Sequence, residues 1–253
     1  ACTPKPGLVT PFDTGSHDDM DAGTFLRSLF ALRHYFTAIA HAGVDDAPFA
    51  VLRMHGLAAE AAMLRATGGI NTHRGAIFSL GLLVAASARY RQLHGHAGSA
   101  AQVCLAVPHW AADFASAPLD ASSPGQRARM RHRVPGVREQ AAAGYPVLRE
   151  LAMPTLRHAL EEGLTHDAAL CQTLMQLVAQ IDDLNLLHRG GAEGLHWAQQ
   201  EARGFLESGG AFAVGWQARL HGIGERFVAR RLSPGGSADL LACSWFLLQQ
   251  EGV

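Results

Sequence analysis

Apolar positions recur at helical spacing along almost the whole chain. Phe25, Leu29, Leu32, Phe36 and Ile39 follow one another at steps of four and three, the stripe of an amphipathic helix. Asp46 and Pro48 open a second helix carrying Leu52, Leu57, Met63 and Leu64 and running to Thr67. A third continues through Leu82, Leu83 and Val84 to about Leu93, and a fourth stretch, 99–115, is kinked or split by Pro108. Helices over 146–162 and 167–189 follow, the second with Leu170, Leu174, Leu177, Val178, Ile181 and Leu184 on one face. Two more lie near 195–206 and 211–231, and the last packs through Leu240, Leu241, Trp245, Phe246 and Leu248. With few β-branched runs, the pattern predicts an all-α fold: one compact multi-helix domain over 1–253 with polar clusters at helix ends.

Composition narrows the function classes. At 48% hydrophobic and 17% charged residues the chain is globular, and a formal charge of −1 gives no global attraction for nucleic acid or anionic membrane. No apolar run is long enough for a membrane span and no signal peptide is visible, so a cytoplasmic protein is expected. Position 1 is Ala, which predicts a native segment ahead of it. Cys2, Cys104, Cys171 and Cys243 have no CxxC spacing and read as reduced, mostly buried thiols. The 14 histidines include no HExxH pair.

The chemistry sits where the helical pattern stops. Gly68-Gly69 ends one helix and lets the backbone take positive φ, after which Asn71 or Thr72 can cap the next. Free N–H groups, His73 and Arg74 then meet at a helix N-terminus, which favours phosphate or carboxylate; a plain capped turn between core helices is the alternative. Gly75 and Gly81 inside the following helix point to close packing. Thr3-Pro4-Lys5-Pro6-Gly7 is a stiff non-helical entry that holds Lys5 on a rigid support. Asp18, Asp19 and Asp21 precede the first helix, where they suit its positive end or a hard metal ion. Alternate arginines in 127–133, with Arg138 beyond, either clamp phosphates or form a solvated loop after the loop 117–125. Asp182, Asn185 and Arg189 are expected to share one face of the 167–189 helix, as an ion pair at its end or as a site. Ser233-Pro234-Gly235-Gly236-Ser237-Ala238-Asp239 announces the last helix, with serines to cap it and glycines that let N–H groups approach an anion. Carboxylates, a hard metal and helix N-termini together suit handling of a nucleotide or polyphosphate.

The stretch Gly-Gly-Ile-Asn-Thr-His-Arg-Gly-Ala-Ile-Phe-Ser-Leu-Gly (68–81) resembles the central motif of the triphosphoribosyl-dephospho-CoA synthase family. Four further stretches resemble family motifs in the family's order, at 3–9, 15–21, 182–191 and 233–242, so the resemblance covers nearly the whole chain. It implies transfer of the 5-triphosphoribosyl group of ATP to the 2′-hydroxyl of 3′-dephospho-CoA with loss of adenine. The product is the prosthetic-group precursor of malonate decarboxylase or citrate lyase, and the sequence is closer in tone to the malonate decarboxylase branch.

On that resemblance Asp182 or Asp183 assists the attacking hydroxyl, and Asp19 and Asp21 hold Mg²⁺ on the triphosphate. Lys5, His17, Asn71, Thr72, His73, Arg74, Asn185, His188, Arg189, Ser233, Gly235, Gly236, Ser237 and Asp239 contact substrate or phosphate. ATP and 3′-dephospho-CoA are the expected partners, without nucleic acid or membrane, and a homodimer is left open. Departures from the family pattern are Pro135, where an arginine is usual, and Asp18, where a basic or polar residue is common. A helix expected before Thr3 is missing from the numbered chain. Two other readings compete: a metal-dependent hydrolase of a nucleotide or ADP-ribose-like bond, and a non-catalytic helical protein that binds a nucleotide or carrier protein.

Overall fold

The computed structural model describes residues 3–116, 124–132 and 134–252, and among these there is no strand. The all-α expectation holds. The helices are α1 (Ala22–Val44), α2 (Phe49–Thr67), α3 (Arg74–His94), α4 (Ala100–Ala106), α5 (Ala111–Ser116), α6 (Pro124–His132), α7 (Val137–Ala142), α8 (Met153–Glu161), α9 (His166–Gln180), α10 (Leu184–Glu207), α11 (Trp216–Ala229) and α12 (Gly235–Gln250). Pro108 does split its stretch, leaving a single 3-10 turn, Val107–Trp110, between α4 and α5. Among the described residues no helix is long and apolar enough to cross a membrane, and Cys104, Cys171 and Cys243 are buried thiols outside any disulfide. Cys2 and most of the expected 117–125 loop lie outside the described residues.

The chain divides into two compact units. The first comprises Ala1–Ala22, Asp120–Gly136 and Leu151–Leu241. Here α9 packs on α8 and α10, and α10 also packs on α6 and α11. Leu156, Leu174, Met175, Leu177, Leu186 and Phe227 form a fully buried centre. The Trp197 ring lies 5.2 Å from Phe227, and the Arg230 guanidinium sits over the Trp197 ring at 4.5 Å. The N-terminal strap runs over the end of α11. Ser16 donates its hydroxyl to Leu232 O at 2.6 Å and its N–H to Gly7 O at 3.1 Å. Gly7, at φ 68, lies so close to Leu232 that no side chain fits there.

The second unit comprises Gly23–Leu119, Val137–Glu150 and Ala242–Val253. Its core gathers Leu32, Ile39, Met63, Ile77, Leu83, Val103 and Tyr145. The sequence stripe on α1 needs correction. Leu29 is 55% exposed, and the buried face is Thr24, Ser28, Leu32, Tyr35 and Ile39. Polar side chains win that face because each has a partner inside: the Tyr35 hydroxyl donates to Ile77 O at 2.8 Å, and Ser28 meets His73. Leu57 on α2, counted as core, is likewise 48% exposed.

Gly81 does mark close packing, because a Cβ there would collide with the Tyr35 hydroxyl. Gly81→Ala therefore has to displace a buried tyrosine from its hydrogen bond. The expected cost is about 1–3 kcal/mol, read as a lowered unfolding midpoint.

Candidate active site

The two aspartates expected inside one helix instead sit in a break between two. α9 ends at Gln180, Ile181 is extended, and Asp183 is the N-cap of α10. Asp182, Asn185 and Arg189 therefore do not ride one helical face, since only the last two are helical. The apolar run hid the break, because Ile181 and Leu184 keep the hydrophobic spacing while the backbone leaves the helix. A second break lies at Gly191 (φ 61, ψ −162), which divides α10.

Asp183 is only 2% exposed, and both of its oxygens are occupied. Oδ1 accepts from Asn185 N at 2.8 Å, Leu186 N at 3.3 Å and Gly236 N at 3.4 Å. Oδ2 accepts from Ser237 N at 2.7 Å and from the Ser237 hydroxyl at 2.8 Å. One carboxylate thus holds the N-termini of α10 and α12, where the helix dipoles favour a negative charge. Burial pushes the Asp183 carboxyl above the usual carboxylate range, against the opposing pull of the Ser237, Asn185 and Leu186 hydrogen bonds. Gly236 permits this approach: a Cβ there would lie 3.1 Å from Oδ1. At Gly235 it would lie 2.7 Å from Asn185 Nδ2. Asp182, by contrast, is exposed and makes no hydrogen bond or ion pair among the described residues.

A second chain of contacts runs beside it. Arg189 donates from Nη1 to Ser16 O at 2.9 Å and Arg231 O at 3.1 Å, and from Nη2 to His17 Nδ1 at 3.0 Å. A guanidinium can only donate, so His17 Nδ1 is an acceptor and its proton sits on Nε2. That proton meets Ser233 Oγ at 2.9 Å, with Ser233 itself buried. His17 is thereby neutral. Burial, then the Arg189 charge, holds it below the ordinary histidine value. Asp19 Oδ1 lies 3.7 Å from His17 Nδ1 and is largely exposed, while Asp18 pairs loosely with Arg231 at 3.8 Å. Lys5 is half-buried in the strap, and His188 is exposed on α10. Asp21 is exposed just before α1, and Asp239 is half-buried in the first turns of α12.

The depressed His17 gives a signed prediction. The unfolded chain takes up its proton at about 6.5, the folded one only at lower pH. Stability is therefore full above 6.5 and falls as pH drops through the folded value. In unfolding midpoints measured against pH, His17→Gln should lose part of that acid-side fall, with the rest left to His73.

Asn71, Thr72, His73 and Arg74 belong to the second unit. Gly68 (φ 67) and Gly69 (φ 92) both donate to Leu64 O and stop α2, as the sequence implied. Asn71 Oδ1 accepts from Arg74 N at 3.1 Å, and Arg74 Nε reaches Glu60 at 3.0 Å. Thr72 does not cap: its hydroxyl donates to Ser28 Oγ at 2.7 Å. His73 is the N-cap, edge-on to Phe25 at 5.0 Å, and burial holds it below the ordinary histidine value.

The arginine run is helical, not a loop: Arg127, Arg129 and Arg131 lie on α6, and Arg133 lies outside the described residues. Ser28, Ser16 and Glu60 were missed from the sequence. A signal existed for Ser28, which follows Thr24 by one helical turn on the face that α1 buries. Among the described residues no three His, Cys, Asp or Glu side chains gather tightly enough to hold a metal by themselves.

A helical fold with a carboxylate clamped between two helix N-termini, beside an exposed acid and an Arg–His–Ser chain, suits a transferase that handles phosphorylated substrates. Residues 1–252 match the family described as ATP:dephospho-CoA triphosphoribosyl transferase, and the chain belongs to that family. It is 40% identical to the 2-(5″-triphosphoribosyl)-3′-dephosphocoenzyme-A synthase of Klebsiella pneumoniae over 97% of this chain and 84% of that one. The enzyme of the same name from Escherichia fergusonii is 36% identical over the same shares. Among solved structures, an Archaeoglobus fulgidus chain described as a putative triphosphoribosyl-dephospho-CoA synthase shares the fold. Its TM-score is 0.59 at 16% identity, covering 88% of this chain and 99% of that one.

Proposed function

We propose that Asp182 is the acid–base group of a pentosyl transfer and that Asp183 builds the site around it. The chain transfers the 5-triphosphoribosyl group of ATP to the 2′-hydroxyl of 3′-dephospho-CoA. The C1″–N9 bond breaks, the C1″–O2′ bond forms, and adenine leaves with the proton that the 2′-hydroxyl gives up. Positive charge develops on the ribose as in glycoside chemistry, where a carboxylate both accepts the proton and faces that charge. The observation that carries the assignment is the contrast between neighbours: Asp183 has both oxygens hydrogen-bonded, whereas Asp182 is exposed without a partner among the described residues.

Around it, the Arg189–His17–Ser233 chain fixes the strap that carries Asp19 and Lys5. Lys5 and the glycine-opened turn at 235–236 are assigned to phosphate oxygens, as are Asn185 and His188. In the second unit His73, with Arg74, is assigned to a phosphate group. Mg²⁺ is assigned to Asp19 and Asp21, both exposed ahead of α1, since one or two hard carboxylates leave positions for water and phosphate. Bound there, the ion would offset triphosphate charge. Asp19→Asn should raise the Mg²⁺ concentration for half-maximal turnover, with little change in unfolding midpoint.

Buried thiols outside any disulfide support a reducing, cytoplasmic setting. Of the two routes that use the product, we favour malonate decarboxylase, on the sequence resemblance. Mass spectrometry of ATP, 3′-dephospho-CoA and Mg²⁺ incubated with the protein tests the reaction. Adenine and triphosphoribosyl adduct in equal amounts support it. Adenine without adduct would make the protein a hydrolase.

A further inference from the structure

The second unit contains a buried hydroxyl whose place the transferase reaction does not by itself explain. Ser28 is 0% exposed, and α1 directs it at the turn before α3. Its oxygen lies 2.7 Å from the Thr72 hydroxyl, which donates to it, and 2.7 Å from His73 Nδ1. The Thr72 hydroxyl itself lies 3.1 Å from the same Nδ1. Two hydroxyls, each with one proton, therefore converge on one ring nitrogen. With Thr72 donating to Ser28, the Ser28 proton is available to Nδ1, and a nitrogen that accepts it leaves the ring proton on Nε2. The ring cannot easily turn away, because Phe25 packs edge-on against it at 5.0 Å and the His73 N–H is held on Met63 Sδ at 3.2 Å. Nε2 has no hydrogen-bond partner among the described residues.

We propose that Ser28 is a positioning residue: through His73 Nδ1 it fixes the Nε2–H tautomer, so that Nε2 donates a hydrogen bond to a phosphate oxygen of substrate. The phosphate part rests on the transferase reading above, while the tautomer part stands on the contacts alone. Neutral His73 gives a directed N–H rather than a charge, which orients a phosphate without holding the product by strong ion pairing. Ser28 touches no substrate. Its effect is on binding common to ground and transition states, so it should appear in KM and not in kcat.

The test uses ¹⁵N-labelled protein and long-range ¹H–¹⁵N correlation of the histidine rings, with His73 assigned by the signals lost in His73→Gln. At neutral pH the wild type should show His73 as the Nε2–H tautomer. Ser28→Ala, a change compatible with a helix interior, should show a mixture of tautomers, and Ser28→Thr should restore the wild-type pattern. The KM for one phosphorylated substrate should rise roughly tenfold in Ser28→Ala with kcat nearly unchanged. An Nδ1–H tautomer in the wild type, or an unchanged tautomer in Ser28→Ala, would overturn the proposal. A shifted tautomer with unchanged KM values for both substrates would overturn the phosphate contact. Absence of adduct from the wild type would sink the transferase reading instead, and the ring spectra would still decide the Ser28 contact.

Discussion

Asp182→Asn is expected to lower turnover by about 10²–10⁴-fold while leaving the unfolding midpoint almost unchanged. The activity loss follows from removing a proton acceptor and a negative charge that faces an electron-poor ribose. The small stability effect follows from position, since Asp182 is exposed and makes no hydrogen bond or ion pair among the described residues. Steady-state adenine release and thermal unfolding, measured on the same preparation, separate the two quantities. A midpoint drop of many degrees in this variant would mean that Asp182 holds structure and does not perform chemistry.

The neighbouring change should behave in the opposite way. An asparagine at 183 can offer one carbonyl oxygen to the α10 N–H groups, but its amide NH₂ then faces Ser237 N–H, and two donors meet. Leaving that buried N–H without an acceptor costs about 1–3 kcal/mol, and weakening the remaining charge-assisted bonds adds to it. A total near 3 kcal/mol corresponds to a midpoint lower by roughly 6–12 °C for a chain of this size. Activity falls as well, because the turn ahead of α12 loses its Ser237 N–H anchor on Oδ2. Differential scanning calorimetry of Asp183→Asn beside Gly236→Ala checks this, since both disturb the same joint. A destabilised Asp183→Asn together with an intact Asp182→Asn is the pattern expected.

Much of this was legible in the sequence, for reasons that differ by element. Gly68-Gly69 announced a helix stop because positive φ leaves few other residues, and Pro108 announced a split because it cannot donate to the preceding turn. The break at 181–183 was not legible in the apolar spacing. Apolar spacing reports side-chain type, and Ile181 and Leu184, both half-buried, keep that spacing whether or not the backbone between them is helical. Asp183 itself gave the missed signal, since aspartate is a strong N-cap residue and Asn185 and Leu186 supply the N–H groups it needs. The α1 stripe misleads for a related reason: the large apolar residues mark one face, whereas Ser28 and Tyr35 occupy the inner one with their hydrogen bonds satisfied inside. Pairings across long sequence distances, such as Asp183 with Ser237 and His17 with Arg189, carry no local pattern at all.

The division of labour between the two aspartates is tested most directly by a crystal structure of the protein with 3′-dephospho-CoA and ATP, trapped in the Asp182→Asn variant. The account predicts the 2′-hydroxyl of 3′-dephospho-CoA within about 2.6–3.2 Å of the residue 182 side chain and facing C1″ of the ATP ribose. Residue 183 should still be closed on Ser237. A 2′-hydroxyl held instead by Asp183, or one remote from both positions, would contradict it.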